Sequence, residues 1–463
     1  MDVGNTMKET TNNKIKEMLE DILIDISPNE TEEMKTKEFS KKIIDELYSQ
    51  LRKNKLIPPV IDIVQVGSTA RNTNLKNDYD IDIFIRFEKN TEKDILKDIV
   101  LNIGKKVIEK LGGKCWVEYA EHPYLSAKVG KYEIDIVPCY KLNWGEKIIS
   151  AVDRTPLHNE FLMYMMKKYE DNNEIKINNE VRLLKKFLKG IGIYGSDLKT
   201  KGFSGYLCEL LVIHYGGFIN TLKNAQKWKI GQKIILNELY NIYNLENYKF
   251  DSFKDPLIVY DPVDLNRNVG ASLSKENFCK FIFYSHLFLK SPSKDFFYDY
   301  DKKVNDRLNN RNKGLLITLG IKRNSETKAV VDDIIYPQME KLQKSINKLL
   351  IENDFEFLRY ENYADDDMCY LSWEFLIYEL PDVKLKIGPH VFNKRNVDNF
   401  IKKNSKYFIK DCNVCAYTNR KYKNVYELFE DLVDGNLKTR ISYPKHIYPE
   451  NAVIFKGMFK EKY

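Results

Sequence analysis

Seven cysteines in 463 residues are few, odd in number and scattered along the chain. That pattern excludes a disulfide framework and suits a reducing interior. Cys412 and Cys415 form a single CxxC with no second pair and no histidine pair beside it, which favours an ordinary structural role over a metal site. No uninterrupted apolar run reaches membrane-spanning length, so no membrane partner is expected. The opening stretch MDVGNTMKETTNNK lacks the apolar core of a secretory leader, and a cytoplasmic location follows as the expectation. Charge of one sign is not in large excess: a net charge of +7 permits an anionic partner without demanding one. Internal repeats and low-complexity segments are also lacking.

What is present describes a globular protein of several domains. Hydrophobic residues make up 43% and charged residues 30%, and the length suits two to four domains. Aromatics reach 13%, mostly Tyr and Phe. Tyrosines can stack on unpaired bases, although a chain rich in Lys, Asn and Ile carries many by composition alone.

Near the start, SPNETEEMKTKEFSKKIIDELYSQL predicts a helix. Ser27 serves as its cap, Pro28 as its first residue and Glu30 as the partner in a capping box, and Phe39, Ile43, Leu47 and Leu51 form one buried stripe. Alternating IDIVQV predicts a strand over Ile61–Val66, and DIDIFIRF a second over Asp80–Phe87. A helix over Lys93–Leu111 and strands near Cys115–Tyr119, Tyr124–Val129 and Tyr132–Val137 follow, so the first 140 residues read as α/β with a small sheet. From Pro156 to Leu289 the periodicity is helical, including VRLLKKFLKGIGIYG and a buried helix in GFSGYLCELLVIHYGGF. After about residue 312, LLITLGI, a helix at Val331–Leu350, FEFLRY and CYLSWEFLIYEL predict a β-α-β-β run in an antiparallel sheet with helices on one face. Three parts are expected: 1–158, 159–300 and 301–463.

The chemistry concentrates in GSTARNTNLKNDYDIDIFIRF. Residues two apart on a strand share a face, so Asp80 and Asp82 project side by side while Ile81 and Ile83 point to the core. Adjacent carboxylates repel unless a cation lies between them, and hard oxygen ligands suit Mg²⁺. Asp135 in KYEIDIVPCY sits on the polar face of another strand. If the two strands are neighbours, the three aspartates can hold two metals about 3.5–4 Å apart, the spacing that serves both oxygens at a phosphorus centre. Gly67 would let backbone approach a phosphate, Ser68 offers a hydroxyl and an amide, and Arg71 can add bidentate charge. An Asp-Ile-Asp strand alone is more often a half-exposed sheet edge. The Gly-Ser turn and the third aspartate tip the balance toward chemistry.

This combination resembles the nucleotidyltransferase superfamily to which DNA polymerase β belongs. More narrowly, VGSTARNT, YAEHPY, EIDIVPCYKL, SAVDRTPLH, VRLLKKFLKGIGIYG, GFSGYLCELL and DPVDLNRNV, in that order, resemble the archaeal-type (class I) CCA-adding tRNA nucleotidyltransferases. Weaker likeness continues through VVDDIIYPQMEK and IGPHVFNKRNV, so it spans nearly the whole chain. The resemblance implies a polymerase β-like head with a small mixed sheet, a helical neck that binds nucleotide and the tRNA acceptor end, and an α+β body and tail that bind the top half of tRNA. It implies that Asp80, Asp82 and Asp135 bind two Mg²⁺ ions. Ser68, Arg71, His158, Lys185, Tyr194 and Arg267 would contact ATP or CTP, with Arg267 reading the base edge.

Without the resemblance these last residues read blandly. Arg182, Lys185 and Lys189 form a basic helix face that is most simply solvated. His158 reads as a structural histidine, Tyr194 as a core aromatic and Arg267 as a surface arginine, and His122 has no assignable role. The expected activity is addition of C, C and A to the tRNA 3′ end from CTP and ATP, without a nucleic-acid template and with release of pyrophosphate. Another terminal nucleotidyltransferase, of the poly(A) or oligoadenylate synthase type, and a non-catalytic tRNA-binding protein are the alternatives. Oligomeric state stays open, a homodimer included.

Overall fold

The computed structural model describes residues 3–56, 59–119, 123–172, 176–239, 252–303, 314–323, 330–441 and 444–456. His122 lies outside them. The chain forms two compact units, 1–306 and 307–463. The expected head and helical neck both fall within the first.

Two helices, α1 (Val3–Ile26) and α2 (Glu30–Lys53), open the first unit. The sequence did not announce α1, and it moves the start of α2. The cap is Asn29, whose side chain accepts from the Glu32 amide while the Glu32 carboxylate accepts from the Asn29 amide at 3.0 Å. Ser27 and Pro28 form the break between two helices, where proline cannot continue the first. The stripe of α2 is as predicted, with Ile43, Leu47 and Leu51 fully buried and Phe39 packed against them.

There follow β1 (Val60–Val66), the single turn α3 (Gly67–Ala70), β2 (Asp80–Phe87), α4 (Lys93–Lys110), β3 (Lys114–Tyr119), β4 (Pro123–Val129) and β5 (Tyr132–Tyr140). The sheet order is β1-β2-β5-β4-β3. It is mixed, because β2 and β5 run parallel while the other pairs are antiparallel. The result is a small mixed sheet covered by helices, as expected of the first 140 residues. Ile81, Ile83, Ile85 and Phe87 alternate toward the core shared with Leu96, Val100, Ile103 and Val107 of α4. The opposite face of the same strands is left for Asp80, Asp82 and Asp135.

The helical part comprises α5 (Arg154–Asn172), α6 (Ile177–Gly190), α7 (Gly205–Tyr215), α8 (Phe218–Ala225), the short parallel pair β6 (Gln232–Ile234) and β7 (Leu257–Val259), and α9 (Lys275–Lys290). Phe187 of α6 is its hub, with Phe218, Phe288, Phe296 and Phe297 around it at centroid distances of 5.6 to 6.0 Å.

In the second unit β8 (Leu315–Lys322), α10 (Asp332–Glu352), β9 (Glu356–Ala364) and β10 (Met368–Ile377) give the predicted β-α-β-β run. A separate sheet of β11 (Val383–His390), β12 (Tyr407–Lys410) and β13 (Asn413–Asn419) carries α11 (Lys394–Lys403). Then come α12 (Val425–Val433) and β14 (Ala452–Lys456), which returns to pair with β8 in the order β14-β8-β10-β9. Trp373, fully buried, anchors this core and donates to Asn347 at 2.6 Å. All seven cysteines are free thiols, with Cys412 exposed and Cys415 buried. Among the described residues no helix is long and apolar enough to cross a membrane.

Candidate active site

The β2–β5 register sets Asp82 directly opposite Asp135, with Asp80 one pleat earlier opposite Glu133. The carboxylates therefore share one face of two adjacent parallel strands. Ser126 of β4, the register partner of Asp135 on its other side, donates to Asp135 Oδ1 at 2.5 Å and holds that side chain in place. The turn leaving β1 closes over this face. Gly67 has φ +81°, and a Cβ there would stand 1.9 Å from Asp82 Oδ2. Only glycine permits both the left-handed backbone and the close approach of the carboxylate. Thr69 Oγ1 donates to the Asp80 carbonyl at 2.7 Å, tying the turn to the start of β2.

Negative charge is concentrated here. Burial, then the charge and hydrogen bond of Asp78, then Asp82 and Glu133, push the Asp80 carboxyl up to about 7. Burial and the charge of Asp135 push Asp82 up to about 6, against the opposing pull of Arg71. Asp135 is also raised, first by burial, although the Ser126 hydrogen bond works the other way. Among the described residues no three His, Cys, Asp or Glu side chains form a ready-made metal cage. The donor set still fits a hard divalent cation. Carboxylates held this close together favour a cation between them, and Mg²⁺ takes only a few of its oxygens from protein and the rest from phosphate and water.

Arg71 leaves the turn and enters the helical part. Its guanidinium donates to both oxygens of Glu209 on α7, at 3.1 and 2.9 Å, and to Asn159 Oδ1 at 2.7 Å. Thr73 Oγ1 reaches the same Glu209 at 2.6 Å. Glu209 is fully buried; burial raises its pKa, but the charges of Arg71 and Lys185 and the hydrogen bonds from Arg71 and Thr73 outweigh that and leave it lowered.

The basic face of α6 is not solvated. Arg182 and Lys185 are 2% and 3% exposed, and only Lys189 faces water. Arg182 donates to the Asn74 carbonyl, to Asn72 Oδ1 and to Glu33. Lys185 Nζ donates to the Thr73 carbonyl at 3.1 Å. The loop after the Gly-Ser turn, with Asn72 at φ +56°, aims its carbonyls and amide oxygen at this helix face. Backbone carbonyls and side-chain oxygens of the protein together meet the two buried cations. Burial pushes the Lys185 ammonium down, against the charge of Glu209. Tyr194 lies against Lys189 and bridges to Phe203, and burial raises its phenol pKa strongly.

His158 and Arg267 form a second cluster around Asp261, reached from the first through Asn159 and α7. Arg267 also lines a cavity of about 550 Å³ with Arg154, Ser204, Phe253, Asp264 and Asn266. That is room for a small ligand. Ser126, Glu209 and Asp261 were not among the expected site residues and join the site through the fold. Two had a visible signal: Ser126 is a polar residue between buried Leu125 and Ala127, and Glu209 is the one acid in an apolar helix. Asp261 had none.

Three family models match the chain. A nucleotidyltransferase domain matches residues 40–158, a tRNA nucleotidyltransferase second domain residues 179–298, and a CCA-adding enzyme C-terminal domain residues 321–448. Among similar proteins, a CCA-adding enzyme of Methanococcus maripaludis (strain S2) is 58% identical over 98% of this chain and 100% of its own length. One from Methanocaldococcus jannaschii is 53% identical over 96% of each chain. A more distant one from Methanopyrus kandleri is 33% identical over 93% of this chain and 89% of its own.

Proposed function

The chain belongs to the family of CCA-adding enzymes, tRNA nucleotidyltransferases that act on tRNA and nucleotides, and from that membership we propose how its own residues carry the reaction. It adds C, C and A to the tRNA 3′ end from CTP and ATP without a template, releasing pyrophosphate. The superfamily uses divalent metal ions. Here Asp80 and Asp82 would hold one Mg²⁺ and Asp135 would help hold a second. Bound there, such ions would supply the charge that lowers the pKa of the attacking 3′-hydroxyl and offsets that of the leaving pyrophosphate.

The remaining work is positioning by the chain. Ser126, through its hydrogen bond, keeps Asp135 aimed along the strand face. Gly67 and Ser68 bring backbone and hydroxyl to the triphosphate. Arg71 and Lys185 supply positive charge beside it, steadied by Glu209 and Thr73. His158 and Tyr194 complete the nucleotide contacts, and Arg267 reads the base. Parts 1–158, 159–300 and 301–463 act as catalytic head, neck and tRNA-binding body and tail. The enzyme works in the cytoplasm, and a homodimer is the assembly to test by light scattering.

The observation that carries this reading is the Asp82–Asp135 register beneath the Gly67 turn. The test extends a labelled tRNA lacking its CCA end in Mg²⁺. CTP alone should add two nucleotides, CTP with ATP should stop at three, and Asp135→Ala should add none. A long A ladder from ATP alone, or no extension by the wild type, would refute it.

A further inference from the structure

Two nucleotide-contact candidates converge on one carboxylate. Asp261 is fully buried. His158 Nε2 lies 3.0 and 2.9 Å from its two oxygens, Arg267 Nη1 donates to Oδ2 at 2.7 Å, Tyr206 Oη to Oδ1 at 3.3 Å and the Val263 amide to Oδ1 at 3.0 Å. Burial pushes this carboxyl up, but the His158 hydrogen bond and charge, the Val263 amide and Arg267 outweigh it and hold it below the ordinary range. An ionised carboxylate only accepts, so Nε2 is the protonated nitrogen of His158. The imidazole is also stacked on Tyr206, with centroids 4.2 Å apart and planes 26° apart. The ring is held at its edge and on its face.

We propose that Asp261 is a positioning residue for base selection, anchoring one arm of the Arg267 guanidinium and the ring of His158 before a nucleotide arrives. The inference rests on the reading that Arg267 contacts the incoming base. Cytosine and adenine share an edge on which a ring nitrogen accepts beside an amino group that donates. Uracil and guanine place a ring N–H beside a carbonyl. A guanidinium N–H held opposite the ring nitrogen accepts the first pair and repels the second. A guanidinium free to swing could instead reach the carbonyl of uracil or guanine, and discrimination would fall. Arginine has a long, rotatable stem, so a rigid donor pattern needs an outside anchor. Asp261 supplies one from a buried position that does not itself face the cavity, through a charge-assisted bond of 2.7 Å.

Asp261→Asn keeps the shape but replaces one acceptor oxygen with a donor, so at least one of the four groups meeting there loses its partner. The full-length variant would be assayed with CTP, UTP, ATP and GTP on tRNA lacking its CCA end, reading kcat and KM separately. The CTP-over-UTP ratio of kcat/KM should fall by about tenfold to a hundredfold, the range of one well-aimed base contact. Arg267→Ala should show the same fall, and the double variant no further fall. An unchanged ratio in folded Asp261→Asn, or full additivity in the double variant, would overturn the proposal. Should Asp261→Asn not fold, Arg267→Lys still decides the matter. It keeps a cation on Asp261 but loses the second guanidinium arm, the one left to meet the base, so it should lose discrimination with its melting temperature preserved, and retained discrimination would overturn the idea. Absence of CCA addition by the wild type would instead refute the functional reading, a separate outcome.

Discussion

Gly67→Ala tests the geometry that joins the Gly-Ser turn to the acidic strand. The added methyl would begin 1.9 Å from Asp82 Oδ2, whereas ordinary contact begins at 3.4 Å, so the carboxylate must retreat by about 1.5 Å. A misplacement of about 1 Å in a reacting constellation can cost roughly a hundredfold in rate, near 2.7 kcal/mol. The positive φ of +81° adds backbone strain of about 1–2 kcal/mol, read as a drop of a few degrees in melting temperature. Gly112→Ala separates the two effects. Its φ is +75°, but a Cβ there meets nothing within 4 Å. Both variants should therefore lose similar stability, while Gly67→Ala alone should lose about a hundredfold or more in single-turnover addition of C at saturating Mg²⁺. Rates for the two variants within about threefold of each other would refute the reasoning.

Glu209→Gln leaves Arg71 buried with half its partner gone, and should destabilise the first unit by about 3–5 kcal/mol in thermal or urea unfolding. The pH dependence has a definite sign. The Glu209 carboxyl is lowered in the folded state, so its contribution is complete above the ordinary value of 4.5 and is lost as pH falls through the folded value. Wild-type melting temperature should thus fall more steeply than that of Glu209→Gln below pH 4.5; parallel curves would count against the pairing. Chelating divalent metal should stop nucleotide addition, and Mg²⁺ should restore it to the wild type but not to Asp135→Ala. Trp373→Ala should cost the second unit about 3–5 kcal/mol by calorimetry, since it empties a fully buried site and strands Asn347.

Residue order alone made most of the elements legible, and with them the face on which the chemistry lies. Period-two alternation in DIDIFIRF and KYEIDIVPCY fixes which side chains share a face, because that follows from strand geometry within a single segment. The turn at Gly67 was legible for the same local reason. The N-terminal helix α1 was not: among its described side chains the buried ones are Ile22 and Ile26, too short a stripe to stand out without the α6 surface it covers. The sheet of β11, β12 and β13 was hidden because its first and last strands are separated by a helix and the middle strand.

The partners of the charges, by contrast, came from tertiary packing. A helix period shows that Arg182, Lys185 and Lys189 share a face, and cannot show that a loop more than 100 residues earlier offers carbonyls to two of them. Arg71 and Glu209 are 138 residues apart, and His158 and Asp261 are 103 apart. Periodicity is set by bonds between neighbours in the chain. The pairing of buried charges is set by which surfaces the hydrophobic cores press together, and it exists only once they have.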